Sequence, residues 1–253
     1  MNKGSSLGAG PGTVMPSVLK RLAQKRLYFG HQSVGANLIQ GVRDLTNEHP
    51  SIRLNIVESS DARDVSGPVF AHSRLGRNGD PESKIDGFVR LMEQGAADAL
   101  DVAFFKFCYV DVTPATDVPA LFASYRRALE GLTARHPRTA FVHVTIPLTP
   151  LQAGPKAWAK RILRMPLCGY DDNRARWQFN ECLRKQYGGK ERLFDLARAE
   201  ATAPDGSRVW LEQDGCRFEA MAQAYTDDGR HLNGVGRRRA AAELLVVLAA
   251  QTG

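Results

Sequence analysis

Residues 28–42 read "YFGHQSVGANLIQGV". The stretch opens on apolar residues that suit a buried strand and closes with Val34, Leu38, Ile39 and Val42 at helical spacing. Between the two lies Gly30-His31-Gln32-Ser33. Joins of this kind, at the carboxyl ends of parallel strands, are where α/β proteins build their sites. Ser33 has two readings here. It can cap the helix that follows, since Ser is a preferred N-cap, or it can present its hydroxyl at the sheet edge.

Outward from this join, strand-like and helix-like segments alternate. Residues 26–30 predict a first strand and 33–47 a helix; "IRLNIVES", 52–59, alternates as a second strand. Residues 60–82 read as a long polar connection full of turn formers. A helix over 83–100 carries Ile85, Phe88, Val89, Leu91 and Met92 on its apolar side. "DVAFFKFCYVDV", 101–112, is the apolar run of a strand covered on both faces. A helix over 118–136, stopped by Pro137, leads to a buried strand over 139–149; a helix over 173–187 leads to a fifth strand at 192–197. A hairpin turning at Asp214-Gly215 and a closing helix over 235–251 complete the chain. The alternation predicts right-handed crossovers and a central parallel sheet of about five strands in a three-layer α/β/α sandwich. Residues 1–13 read as a disordered lead-in. Residues 14–253 read as one domain with insertions near 60–82, 150–172 and 200–222.

The bulk composition narrows the function classes. With 253 residues, 43% hydrophobic and 24% charged, the core is large enough to need no metal or disulfide. The net charge of +7 is spread along the chain, and its densest run, Arg237-Arg238-Arg239, suits a solvated helix face. A nucleic-acid partner would want a basic stripe on a recognisable module, and none is seen. Cys108, Cys168, Cys182 and Cys216 form no C-x-x-C pair, which excludes a zinc ribbon or thioredoxin-type motif; Cys108 reads as buried. The first 22 residues lack the apolar core of a signal peptide. The longest apolar run, 240–250, is too short to span a bilayer. As it stands the chain reads as cytoplasmic, and as periplasmic or secreted if an export signal precedes it in a longer protein.

A second motif lies near the far end, "YTDDGRHLNGVG", residues 225–236. Asp228 stands three residues before His231. A carboxylate so placed can accept the proton on one ring nitrogen, leaving the other free as a base. In isolation Asp, Gly, His and Asn are also turn formers. Together, a serine after the first strand and an Asp-x-x-His before the last helix can converge at one sheet edge.

This pairing resembles the SGNH hydrolases, the GDSL-like esterase and lipase superfamily, over residues 27 to the final helix. "FGHQSVG" is similar to a branch with His-Gln in place of the usual Gly-Asp before the serine. The resemblance implies a flavodoxin-like fold, Ser33 as nucleophile, His231 as general base, Asp228 as its orienter, and no cofactor or metal. It also implies an oxyanion-holding glycine after the second strand, for which Gly76 and Gly79 are both candidates. The family's Gly-x-Asn-Asp block is replaced here by "KFCYVD": Asp111 matches the final Asp, but Val110 stands where the Asn side chain should donate. Loss of one such donor costs about 100- to 1,000-fold in rate.

Asn78, in the Gly-flanked loop, and Lys106, ionisable inside an apolar strand, are the candidate substitutes. Lys106 also reads as a charge snorkelling from the strand end or paired with Asp111. His31 either shapes the pocket or is a hydrogen-bonded structural residue; His143 reads as a satisfied core histidine, and Asn180 as a helix residue bonding a neighbouring loop. The expected activity is hydrolysis of a small acyl ester, an O-acetyl group on a carbohydrate or a small molecule. The alternatives are O-acyl transfer to a polysaccharide and a non-catalytic carbohydrate-binding protein on the same fold.

Overall fold

The computed structural model describes residues 11–61, 63, 66–152, 155–163, 169–189, 192–213 and 215–252. Apolar residues on both faces of a strand demand cover on both sides, and that demand organises the molecule. Strand β1 (Arg26–His31) is buried from Leu27 to His31 and turns at Gln32 into helix α2 (Ser33–Asn47). Helix α1 (Pro11–Leu22) precedes them, beginning inside the expected lead-in; residues 1–10 lie outside the described residues. Strands β2 (Ile56–Glu58) and β3 (Val69–Arg74) follow, then helix α3 (Pro81–Leu91), strand β4 (Val102–Phe105), helix α4 (Val118–Arg135) and strand β5 (Ala140–Val144). The chain continues through helices α5 (Pro155–Ile162) and α6 (Tyr170–Tyr187), strand β6 (Leu193–Phe194) and helix α7 (Leu196–Ala201). A hairpin, β7 (Trp210–Gln213) with β8 (Cys216–Glu219), and helix α8 (Gly234–Ala250) close it. The hairpin's Asp214 and Cys168 lie outside the described residues.

The sheet has six parallel strands in the order β2-β3-β1-β4-β5-β6. The connections run one way from β1 and the other way from β3 to β4, so β1 and β4 flank the switch point where open α/β sheets bind ligands. Alternation divides the core. Leu27, Phe29 and Phe104 face the layer of α1, α2, α7 and α8, whereas Tyr28, Ala103 and Phe105 face α3, α4 and α6. The three-layer α/β/α sandwich is therefore as the alternation predicts.

Four local readings need correction. The sheet has six strands rather than about five, because the connection 60–82 contains β3, a central strand between β2 and β1. Its only fully apolar stretch is Val69-Phe70-Ala71; His72 and Ser73 are buried through side-chain hydrogen bonds to His31 and Tyr28. The second strand is shorter than 52–59, covering three residues at the sheet edge. The helix over 83–100 ends its regular part at Leu91, then passes through a π turn (Met92–Ala96) in which Gly95 has a φ of 99°. The fifth predicted strand, 192–197, is only two residues long before Asp195 caps α7 through the Arg198 N–H.

Helices α2 and α8 lie side by side and run the same way. Both start near the carboxyl edge of the sheet, and the far end of α8 receives the Arg21 guanidinium on the Ala249 carbonyl, close to the start of β1. Gly41 makes the close approach possible. A Cβ there would stand 2.4 Å from the Arg237 carbonyl oxygen and 2.8 Å from the Ala241 side chain. Arg237 with Asp44 and Arg238 with Glu48 add ion pairs along the same seam.

Candidate active site at the carboxyl edge

Ser33 is the first residue of α2, not its cap. The capping position belongs to Gln32, whose side chain makes no cap and instead donates to the carbonyls of Leu75 (3.2 Å) and Gly76 (2.8 Å). The Ser33 side chain is exposed and its hydroxyl has no hydrogen-bond partner among the described residues. Behind it, His31 is buried and clamped. A carbonyl only accepts, so His31 Nδ1 donates to Gln32 O (2.9 Å), and Nε2 must accept from His72 Nδ1 (3.1 Å). Burial pushes the His31 pKa down to about 4, so the ring stays neutral near pH 7. Both ring nitrogens of His31 are thus engaged in hydrogen bonds within the fold.

The turn at 228–231 is built around one carboxylate. Asp228 Oδ1 accepts from the N–H groups of Arg230 and His231, both at 2.8 Å, and Oδ2 meets His231 Nδ1 at 2.6 Å. Thr226 Oγ1 supports the turn by accepting from Gly229 N–H (2.9 Å). The bonds to His231, backbone first and ring second, hold the Asp228 carboxyl far below the usual carboxylate range. With Nδ1 donating to Asp228, His231 Nε2 is left as the free nitrogen. Ser33 and His231 are not hydrogen-bonded to each other. Asn233 caps α8 by accepting from Val235 and Gly236 N–H, so this turn delivers the chain into the helix that packs on α2.

A second cluster joins the loop after β3 to the loop after β4. Asp111 Oδ1 accepts from Gly79 N–H (2.8 Å), and Oδ2 accepts from Cys108 N–H (2.6 Å) and from Lys84. Lys84 and Asp111 are both buried, and Lys84 also donates to Asn78 Oδ1 (3.1 Å). Asp111 is therefore paired with Lys84 rather than with Lys106. Nor does Lys106 snorkel: it is 1% exposed and donates to the Phe107 carbonyl (3.1 Å), with Cys108 Sγ at 3.8 Å. Burial lowers its pKa. Of the two glycines, Gly79 has its N–H committed to Asp111, while Gly76 N–H makes no bond among the described residues. Gly76 has a φ of 59°, and a Cβ there would collide with the Lys84 backbone at 2.8 Å. The Asn78 amide nitrogen is exposed and unbonded.

Helix α6 stitches the remaining loops. Asn180 bonds both backbone groups of Ile146, accepting at 2.7 Å and donating at 3.0 Å, as expected of it. His143 is buried under Tyr187 with Tyr125 OH on Nδ1, the core histidine expected. Two residues with prominent positions were not singled out. Arg176 donates through Nε to the Tyr109 carbonyl (2.7 Å) and through Nη1 to Thr149 and Asn173. Glu200 is buried, accepts from Leu148 N–H through Oε2 (2.6 Å), and leaves Oε1 without a partner; burial pushes its pKa up to about 8. The signal for Arg176 is the spacing of Asn173, Arg176 and Asn180 along one buried helix face.

An open cavity of about 710 Å³ lies against this assembly, bordered by Tyr109 and Val110 after β4, Thr149 and Pro150 after β5, Arg176, and Gly229-Arg230 of the His231 turn. Among the described residues no helix is long and apolar enough to cross a membrane. No protein-family model matches the chain, and no curated protein matches it. Among solved structures the chain is similar to one from Streptococcus pneumonia described as a platelet activating factor. The identity is 11%, covering 92% of this chain and 90% of that one, with a TM-score of 0.49. It is also similar to the salicylyl-acyltransferase SsfX3 from a tetracycline biosynthetic pathway. There the identity is 14% over 89% of this chain and 55% of that one, with a TM-score of 0.36.

Proposed function

We propose that the chain is a serine esterase that removes a small acyl group, such as acetate, from a carbohydrate or other small alcohol. The observation that carries the reading is the Asp228–His231 pair. Asp228 fixes one imidazole nitrogen and leaves the other bare, on a turn that leads into α8, the neighbour of the helix that begins with Ser33. A ring held in this tautomer is suited to take a proton from a serine hydroxyl. The unbonded, exposed hydroxyl of Ser33 supports the same reading, because a capping serine would have its oxygen engaged.

In the reaction, Ser33 Oγ bonds to the ester carbonyl carbon as its proton passes to His231 Nε2. The tetrahedral intermediate collapses, and His231 returns the proton to the departing alkoxide. Water then adds to the acyl-enzyme by the same route, giving the carboxylic acid and free Ser33. The intermediate's negative oxygen needs donors. The unbonded N–H groups of Ser33 and Gly76 are proposed for two of them, and the amide of Asn78 for the third, in place of the absent Asn at Val110. Lys106 is enclosed by its own strand end and Cys108, and is not assigned this task. Val110, 37% exposed on the cavity wall, favours the second reading, a non-catalytic binder.

Fluorophosphonate labelling separates the two. A single adduct is expected on Ser33, mapped by mass spectrometry and abolished in Ser33→Ala. A label elsewhere, or none on folded protein, favours the binder.

A further inference from the structure

Arg176 is 4% exposed, yet no carboxylate lies within ion-pairing distance among the described residues. Its hydrogen-bond partners are a backbone carbonyl, a threonine hydroxyl and an amide oxygen, all neutral, and Nη2 has no hydrogen-bond partner among the described residues. A buried guanidinium without a counter-ion is costly unless something completes it. Burial holds its pKa down to about 10, with Asp172 and Glu200 acting on it only from a distance. The side chain borders the 710 Å³ cavity, as does Arg230, whose guanidinium has no ion pair among the described residues. Asp172 is the only acidic residue among the described lining, so the wall keeps one net positive charge.

We infer that the cavity beside the His231 turn takes one carboxylate, held by Arg176 Nη2 with Arg230 at its mouth. This deepens the esterase reading and rests on it in one respect. The ester recognised would carry a free carboxylate, either on its acyl part or on its alcohol. A single negative charge matches the wall better than a dianion. Nη2, the one guanidinium nitrogen not engaged by Tyr109, Thr149 or Asn173, can give a carboxylate oxygen a charge-assisted hydrogen bond.

Binding can be measured on the native chain without turnover, which keeps this test apart from the labelling of Ser33. Isothermal titration would compare sodium succinate, standing for an acyl-side carboxylate, with sodium glucuronate, standing for an alcohol-side one. Glucose and sodium sulfate serve as neutral and dianionic probes. At least one carboxylate is expected to bind, at least about 10-fold more tightly than glucose or sulfate. Arg176→Gln is expected to weaken that binding by about 10-fold or more, as a charge-assisted hydrogen bond is lost. Arg176 also holds Tyr109 and Thr149, so a second variant guards against simple misfolding. Asp172→Asn, which removes one negative charge from the cavity wall and keeps the size of the side chain, is expected to tighten carboxylate binding about threefold. Failure of both carboxylates to bind, equal binding of glucose, tighter binding of sulfate, or no gain from Asp172→Asn would overturn the inference even if Ser33 labels fully.

Discussion

Two carboxylates at the same sheet edge, Asp111 and Asp228, have opposite surroundings. Asp111 is sealed: a buried lysine and two backbone N–H groups occupy both its oxygens. Asp228 is about half exposed in its side chain, and its outer oxygen holds a histidine ring whose other nitrogen is bare. One carboxylate is fully satisfied and ties two loops into a fixed shape. The other leaves a ring nitrogen of its partner histidine without a hydrogen bond among the described residues. Satisfied and buried polar groups specify structure, and a group held on one side and open on the other is placed for chemistry.

The comparison can be broken most severely at the exposed carboxylate. If Asp228 fixes the His231 tautomer, Asp228→Asn should lower kcat/KM for an activated acetyl ester by about 100- to 10,000-fold. Its urea midpoint should stay close to that of the native chain. A variant that unfolds, or that keeps full turnover, would place Asp228 with Asp111 instead.

The mirror experiment is Lys84→Met. It strands a buried carboxylate, so a loss of about 3–5 kcal/mol in unfolding free energy is expected from urea titration. Adding Asp111→Asn to that variant should restore a substantial part. If Lys84→Met were neutral to stability, the corner would not be the stitch described.

Glu200 sharpens the contrast with a third case, a buried carboxylate satisfied on one oxygen only. Burial raises its pKa from the ordinary 4.5 to about 8, so the folded state holds its proton more tightly than the unfolded chain. The stability it supports is complete below about pH 4.5 and is lost as pH rises through about 8. Glu200→Gln should remove that decline, and the two proteins' urea curves at pH 5 and pH 8 should diverge by at least about 1.4 kcal/mol, the equivalent of one pKa unit. Parallel pH dependences would show that Glu200 is ionised in the fold.

Much of the fold was legible because burial leaves a periodic trace. Strands β1, β4 and β5 read as apolar runs, and the helices from their spacing. Strand β3 escaped because three of its six residues, His72, Ser73 and Arg74, are polar and turn formers flank it; hydrogen bonds to His31 and Tyr28 make His72 and Ser73 core residues. The same cause hid the lysine partner of Asp111. Lys84 on an amphipathic helix looks like any solvated lysine until the opposing carboxylate, distant in sequence, is seen. The Asp228–His231 bond was readable from spacing alone, since both ends lie in one turn. Which glycine keeps a free N–H was not, because Gly79's partner belongs to another loop.

The seam at Gly41 has a consequence for the order in which the molecule becomes competent. Ser33 belongs to the first βα unit and His231 to the last turn before the final helix, and the close approach at Gly41 lets α8 seat against α2. On the proposed reading, a chain emerging from the ribosome carries its serine early but inert, with no base beside it. Reactivity would switch on only when the last helix docks. Fluorophosphonate capture would then count finished molecules and pass over partly folded ones.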